Sequence, residues 1–327
     1  PYLAKVLLIS FRGRCTNELL VLRPEKISGV FLKHLLLSEP FIKLVDASTY
    51  GSKMPRAEWG YIGNVVLPVP PTDLQTQIAA FLDQKTAAID RLIEKKQRLI
   101  ALLEEKRQAV ISRAVTRGLN PNVKLKDSGI HWLGEIPAHW EVKKLAWLTE
   151  CLDGQRVPLN AEERGRMQGN YPYWGANSIV DYVDRWLFDE ELVLLGEDGA
   201  PFFDRTRPVA FRVSGKVWVN NHAHVLRSSR SLDAAFLAAA LNCVDYRAFI
   251  DGTTRDKLTQ GDMNSISIQC PPTVEQRAIA AFLDRETARI DALIAKVREA
   301  IERLKELRTA LISAAVTGKI DVREGAA

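Results

Sequence analysis

The sequence predicts an α+β chain in which strand-rich modules are joined by two long helices forming an intramolecular antiparallel coiled coil. Three observations predict it: a 47-residue stretch that occurs twice, a heptad spacing of apolar residues inside each copy, and short strand-like runs between turns in the block separating the copies. Residues 70–116 recur 201 positions later as residues 271–317, with 27 of the 47 positions identical and no gap. A duplication of this period marks an architecture of repeated units.

Residues 1–71 read as the C-terminal part of a first module. Within them residues 6–9 look like a buried strand. Residues 17–23 line up with residues 221–227, Phe31 and Leu32 with Phe236 and Leu237, and Gly51 and Gly60 with Gly252 and Gly261. The start at Pro1, with no basic stretch and no small-residue cleavage site, reads as a cut inside a domain rather than a leader peptide.

Residues 72–118 form the first long helix and residues 272–320 the second. Thr72 with Gln75, and Thr273 with Gln276, have the spacing of a capping box, in which the hydroxyl takes one orphan N–H and the amide another. The proline pairs just upstream stop any preceding strand. Residues 83–86 mark a break between a short capped helix and a longer one. Beyond it Ile89, Ile93, Lys96, Ile100, Leu103, Arg107, Val110 and Ala114 follow a heptad, matched one for one by Ile290, Ile294, Val297, Ile301, Leu304, Arg308, Leu311 and Ala315. This is a coiled-coil seam, and two seams in one chain are most simply satisfied by each other. A helix of about 45 residues spans roughly 68 Å, more than either module needs for its own core. Arg107 and Arg308 hold equivalent seam positions, either as a polar pair that fixes register or with stems that snorkel out to water.

Residues 119–138 are rich in turn signals (Asn120-Pro121-Asn122, Asp127-Ser128-Gly129) and read as a connector, docked by Trp132 and Trp140. Residues 139–271 form the second module. Strands are expected at 171–175, 192–195, 209–213, 216–219 and 223–226, followed by a helix at 232–243. Residues 321–327 are a tail.

Composition narrows the class. No apolar run approaches the length of a membrane span. Cys15, Cys151, Cys243 and Cys270 are scattered singly, as expected of reduced thiols in a cytoplasmic protein. The net charge of +5 suits a nucleic-acid partner, yet residues 139–270 carry 15 basic against 18 acidic side chains. A polyanion would therefore meet a local basic surface, or partner proteins that neutralise phosphate.

The chain resembles the specificity subunit of type I restriction-modification systems. The carrying residues are the two helix starts (Pro70-Pro71-Thr72 through Ile78-Ala79-Ala80-Phe81-Leu82-Asp83 and their copies), residues 127–140 and residues 171–177. The resemblance implies two target-recognition domains, each reading half of an asymmetric bipartite DNA site, with the paired helices as a ruler. It also implies two methyltransferase subunits and restriction/translocase subunits as partners, in the cytoplasm of a bacterium or archaeon. S-adenosylmethionine, ATP and Mg are expected in those partners, and no cofactor in this subunit. The front departs from the pattern, because the first recognition domain lacks its N-terminal part. The competing expectation is a coiled-coil protein-interaction adaptor with no DNA sequence preference.

No catalytic residue is expected. A phosphate-cradling P-loop is absent, since Gly215-Lys216 and Gly318-Lys319 lack both the upstream glycine and the following hydroxyl. His222 and His224 share a strand face with no carboxylate or thiol cluster nearby in sequence, so no metal is expected. Base edges are read by bidentate side chains while phosphate contacts set position. Eleven Arg against four Lys in residues 139–270 favour directional recognition, unless most of them solvate an acidic surface. The candidate contacts are Tyr173, Trp174 and Asn177 in an aromatic, glycine-interrupted run, with core packing as the rival role for Trp174. Asn220, Asn221 and His222 follow, as a recognition edge or an Asx turn. Last come Thr254, Arg255 and Lys257 in a polar loop whose first-module counterpart holds Lys53 and Arg56.

Overall fold

Both copies of the repeat are helical without interruption, over Thr72–Arg117 and over Thr273–Val316. The computed structural model describes residues 5–16, 19–49, 57–250 and 256–323. They fall into two units, Pro1–Ile100 with Ile294–Ala327, and Ala101–Leu293. Each long helix therefore contributes one segment to each unit. No helix among the described residues is long and apolar enough to cross a membrane.

Unit one contains α1 (Gly29–Leu36), α2 (Glu39–Ala47), α3 (Trp59–Ile62) and the first part of α4 (Thr72–Arg117). Its core joins Phe31 and Leu35 of α1 to Ile78 and Leu82 of α4, and to Ile312, Ala315 and Val316 of the second long helix. The start of one copy thus packs on the end of the other. At the heptad positions Ile294 and Ile301 are buried, and Ile89, Ile93, Ile100, Val297, Leu304 and Leu311 are half-buried beside exposed neighbours.

Unit two is built on two four-stranded sheets. After β1 (Leu125–Asp127), β2 (Glu135–Pro137), β3 (Glu141–Lys144), α5 (Leu145–Leu148), β4 (Thr149–Cys151) and α6 (Ala161–Arg166) come β5 (Gln168–Trp174), β6 (Ile179–Val183), β7 (Phe188–Asp189), β8 (Leu192–Gly196), β9 (Ala210–Val213), β10 (Lys216–Val219) and β11 (Ala223–Ser228). Then follow α7 (Ala234–Leu241), α8 (Gln260–Ser265), β12 (Ser267–Cys270) and α9 (Thr273–Val316). One sheet has the order β6-β5-β10-β7, the other β4-β11-β8-β9. All five residues of β8 are buried, as a central strand covered on both faces requires. The main core runs from β8, β9 and α7 to Ala114 and Val115 of α4 and Ile279 and Leu283 of α9. Here the end of the first copy meets the start of the second, so the long helices pair antiparallel in this unit as well.

Arg107 and Arg308 each pair with an aspartate. Arg107 Nε donates to Asp291 Oδ1 at 3.0 Å in unit two, and Arg308 Nε to Asp90 Oδ1 at 2.9 Å in unit one. The two aspartates are themselves 201 positions apart, so one contact is made twice. Each arginine stem lies in the seam, about two-thirds covered, while its head reaches the rim of the other helix.

The structure corrects five expectations. The capping boxes do not form. Gln75 Nε2 donates instead to Pro70 O, and its Oε1 accepts the N–H of Ser28, the N-cap residue of α1; Gln276 does the same with Pro271 O and the N–H of Asp233, the N-cap residue of α7. There is no break at residues 83–86, because the Thr86 hydroxyl folds back onto Leu82 O inside a continuous helix. The connector contains a small antiparallel pair, β1 with β2. Residues 6–9, expected as a buried strand, form none, and Leu7 is 74 % exposed. Residues 19–23 do not repeat β11. That strand is held between β4 and β8, and the described residues of unit one offer no such neighbours.

Candidate nucleic-acid interface

Four of the sequence candidates converge on one end of the paired sheets in unit two. β5 and β10 lie parallel and finish together at Trp174 and Val219. The chain then turns through residues 220–222 and enters β11 of the other sheet. Asn220 makes that turn: its Oδ1 accepts the His222 N–H at 2.8 Å and its own N–H donates to Trp174 O. Asn220 is buried, so the Asx turn is its role. The turn leaves Asn221 exposed and His222 partly so, with His222 Nδ1 3.6 Å from Asp198 Oδ2.

Residues 196–199, at the end of β8, close the rim. The N–H groups of Glu197 and Asp198 donate to His222 O, Gly199 N–H donates to Asp256 O, and the backbone of Asp198 pairs antiparallel with that of Lys257. Gly196 is required by close approach, since a Cβ there would stand 2.3 Å from the Ala200 Cβ and 3.0 Å from Ala176 O. That approach brings the half-buried Asn177 to the same edge. Asn177, Asn221, His222 and Lys257 thus share a rim supported from below by Glu197 and Asp198.

Other candidates fall elsewhere. Tyr173 is 1 % exposed, and its hydroxyl bonds the N–H and C=O of Leu159, so it is a core residue rather than a contact. Trp174 is half-buried against Phe211, ring centroids 5.4 Å apart, which is the packing role. Lys53, Arg56, Thr254 and Arg255 lie outside the described residues. Among the arginines, Arg156, Arg164, Arg166, Arg185, Arg205, Arg212, Arg227 and Arg247 all pair with carboxylates. Their carboxylate partners account for them, whereas Arg207 and Arg230 form no ion pair among the described residues.

Beneath the rim lies a group that sequence spacing did not disclose. His224 is 1 % exposed; its Nδ1 stands 2.6 Å from Asp153 Oδ2 and 3.8 Å from Glu197 Oε2, and its Nε2 donates to Leu258 O. Two carboxylates therefore do complete a cluster around this histidine, contrary to the expectation from sequence, because they arrive from the segments that follow β4 and β8. Arg156 fills the cluster, with Nη1 2.6 Å from Glu197 Oε2 and Nη2 3.3 Å from Asp153 Oδ2. Burial pushes the Asp153 carboxyl up, but hydrogen bonds from His224 and the Val225 N–H, with Arg156 beside them, outweigh it and hold the group below the usual carboxylate range. The His–Asp pair resembles an acid–base dyad, yet both ring nitrogens are spent on protein atoms and the ring meets no solvent.

Comparison with known proteins says to which family a fold of paired sheets and long repeated helices belongs. Residues 137–303 match the type I restriction modification DNA specificity domain, and the chain belongs to that family. It is similar to the putative type I restriction enzyme specificity subunit S.HindORF215P of Haemophilus influenzae, at 35 % identity over 148 residues, 45 % of this chain and 37 % of that protein. The MjaVIII specificity subunit of Methanocaldococcus jannaschii is 24 % identical over 88 % of this chain and 69 % of its own length. The EcoKI specificity subunit of Escherichia coli K12 is 26 % identical over 92 % and 68 %. The chain spans little more than a third of the Haemophilus protein. Among solved structures, a chain from a study of assembly and conformational transition in the type I R-M system shares the fold with TM-score 0.66 and 20 % identity, over 88 % of this chain and 70 % of that one. The HsdS subunit of Thermoanaerobacter tengcongensis follows with TM-score 0.50 and 19 % identity, over 89 % and 70 %.

Proposed function

We propose that this chain supplies DNA sequence specificity to a type I restriction-modification complex, each recognition module reading one half of a bipartite asymmetric site. In this reading the paired long helices set the spacing between half-sites and dock two methyltransferase subunits, and restriction/translocase subunits join them. S-adenosylmethionine, ATP and Mg belong to those partners, where the bonds are made and broken. The observation that carries the reading is the rim of unit two, which gathers Asn177, Asn221, His222 and Lys257 from distant segments at one sheet end. Amide, imidazole and ammonium groups are donors and acceptors matched to base edges and phosphates.

The test is methylation mapping in cells that express the chain with its methyltransferase, followed by binding of the purified complex to duplexes carrying the mapped site or a scrambled one. Specific proteins of this kind discriminate by about 10³-fold or more. A complex that binds both duplexes equally would instead be a protein-interaction adaptor.

A further inference from the structure

We infer that Glu197, held by Arg156, is a positioning residue that aims the ammonium of Lys257 at one acceptor on DNA. The inference rests on the proposal that the rim reads DNA. Four buried or nearly buried side chains take part, with Asp153 10 %, Arg156 and Glu197 13 % and His224 1 % exposed. The strands do not need them. β11 is already bonded on one side to β4 and on the other to β8, and its neighbours Ala223 and Val225 are apolar and buried, as a residue at position 224 could be. Buried charges are costly unless fully paired, so the place where this network ends is informative.

It ends at the rim. Glu197 holds the segment at two points: its carbonyl accepts the Leu258 N–H at 2.8 Å, and its Oε1 lies 3.3 Å from Lys257 Nζ. The Leu258 carbonyl is taken by His224 Nε2 at 2.9 Å, and the Asp256 carbonyl by the Gly199 N–H. Lys257 is therefore fixed by main-chain bonds on either side and by its own head group, while 54 % of its side chain remains open to solvent. The other Glu197 oxygen is held by Arg156, which is anchored in turn by Asp153 O, Asp153 Oδ2 and Ala223 O.

An unrestrained lysine is a mobile point charge that attracts any phosphate. Beside a fixed carboxylate the couple is close to neutral, and the ammonium keeps two donors for an acceptor in one direction. The carboxylate thus suppresses sequence-independent attraction while it orients the specific contact. Simple structural damage would weaken both kinds of binding together. Loss of the positioning carboxylate weakens the cognate contact alone, so the two affinities draw together.

The experiment measures Glu197→Gln, Lys257→Ala and the double variant in the full chain assembled with its methyltransferase, against the mapped duplex and a scrambled one. Glu197→Gln is expected to weaken cognate binding about tenfold, to leave scrambled-duplex binding equal or tighter, and to add nothing to the loss caused by Lys257→Ala. Parallel losses on both duplexes, additive effects in the double variant, an inert Lys257→Ala, or full discrimination by Glu197→Gln would each overturn the inference. Should Glu197→Gln not fold, Asp153→Asn tests the same chain one link back, with the same outcomes. A wild-type complex without preference for the mapped site would overturn the proposed function itself, a result distinct from all of these.

Discussion

His34 carries the clearest consequence of a single buried group. It lies on α1, 2 % exposed, with Nε2 2.8 Å from Asp83 Oδ1 on α4, while Nδ1 has no partner among the described residues. Burial, the largest influence, outweighs the Asp83 bond and holds the imidazole below its ordinary value of 6.5. The folded chain therefore resists a proton that the unfolded chain accepts, and stability falls as pH drops below about 6.5. Burial also pushes the Asp83 carboxyl up, but its bonds to His34 and Lys33 win and hold it low, so its contribution is present above the ordinary carboxylate range and is lost only in stronger acid. Thermal melting followed by circular dichroism should show a drop in Tm from pH 7 to pH 5 that is smaller in His34→Leu; equal drops would remove His34 as the cause. This pair was not legible in the sequence, because its partners are 49 residues apart and no local pattern links them. The same holds for Gln75 and Gln276. Their position at a helix start was legible, but the N–H groups they serve lie 47 and 43 residues upstream.

Among elements, the long helices were the most legible because a heptad is periodic and declares itself within the helix. Their register was not, since the seam repeats every turn or two and several alignments bury the same apolar stripe. The paired contacts Arg107–Asp291 and Arg308–Asp90 distinguish one alignment from its neighbours. Exposed ion pairs are worth about 0.2–1 kcal/mol each, enough to choose between registers of similar apolar burial. Arg107→Asp should place two carboxylates together and lower stability by about 1 kcal/mol in urea unfolding, with most of that recovered by adding Asp291→Arg. No recovery in the double variant would mean that the pair does not sense its partner. The strands at β8, β9, β10 and β11 followed from their apolar, β-branched runs, and β5 from its aromatic one. β3 escaped notice, because it completes its ladder only with β12, from the opposite end of the module.

For the whole molecule, the candidate interface was half legible. Asn221, His222 and Lys257 stood out as polar residues at turns, whereas Glu197, Asp198 and Asp153 gained meaning only once β8, β11 and residues 256–258 were brought together. If the helices act as a ruler, their length is a quantity that DNA can report. Seven residues added to each helix, at matched points so that the seam stays in phase, lengthen the pair by about 10.5 Å, close to three base-pair steps of about 3.4 Å. Methylation mapping should then find the non-specific spacer lengthened by about three base pairs with both half-site sequences retained. An unchanged spacer would separate the helices from that role.

The amides of Gln75 and Gln276 bear on how such a protein can change over time. Each is a buried socket accepting one plug, the main-chain N–H that begins a short helix. A backbone donor is offered by any residue but proline, and here Ser28 fills the socket in one place and Asp233 in the other. The coupling is thus indifferent to side chains, and a lineage can rewrite the lettering on a module's face while its mount stays the same.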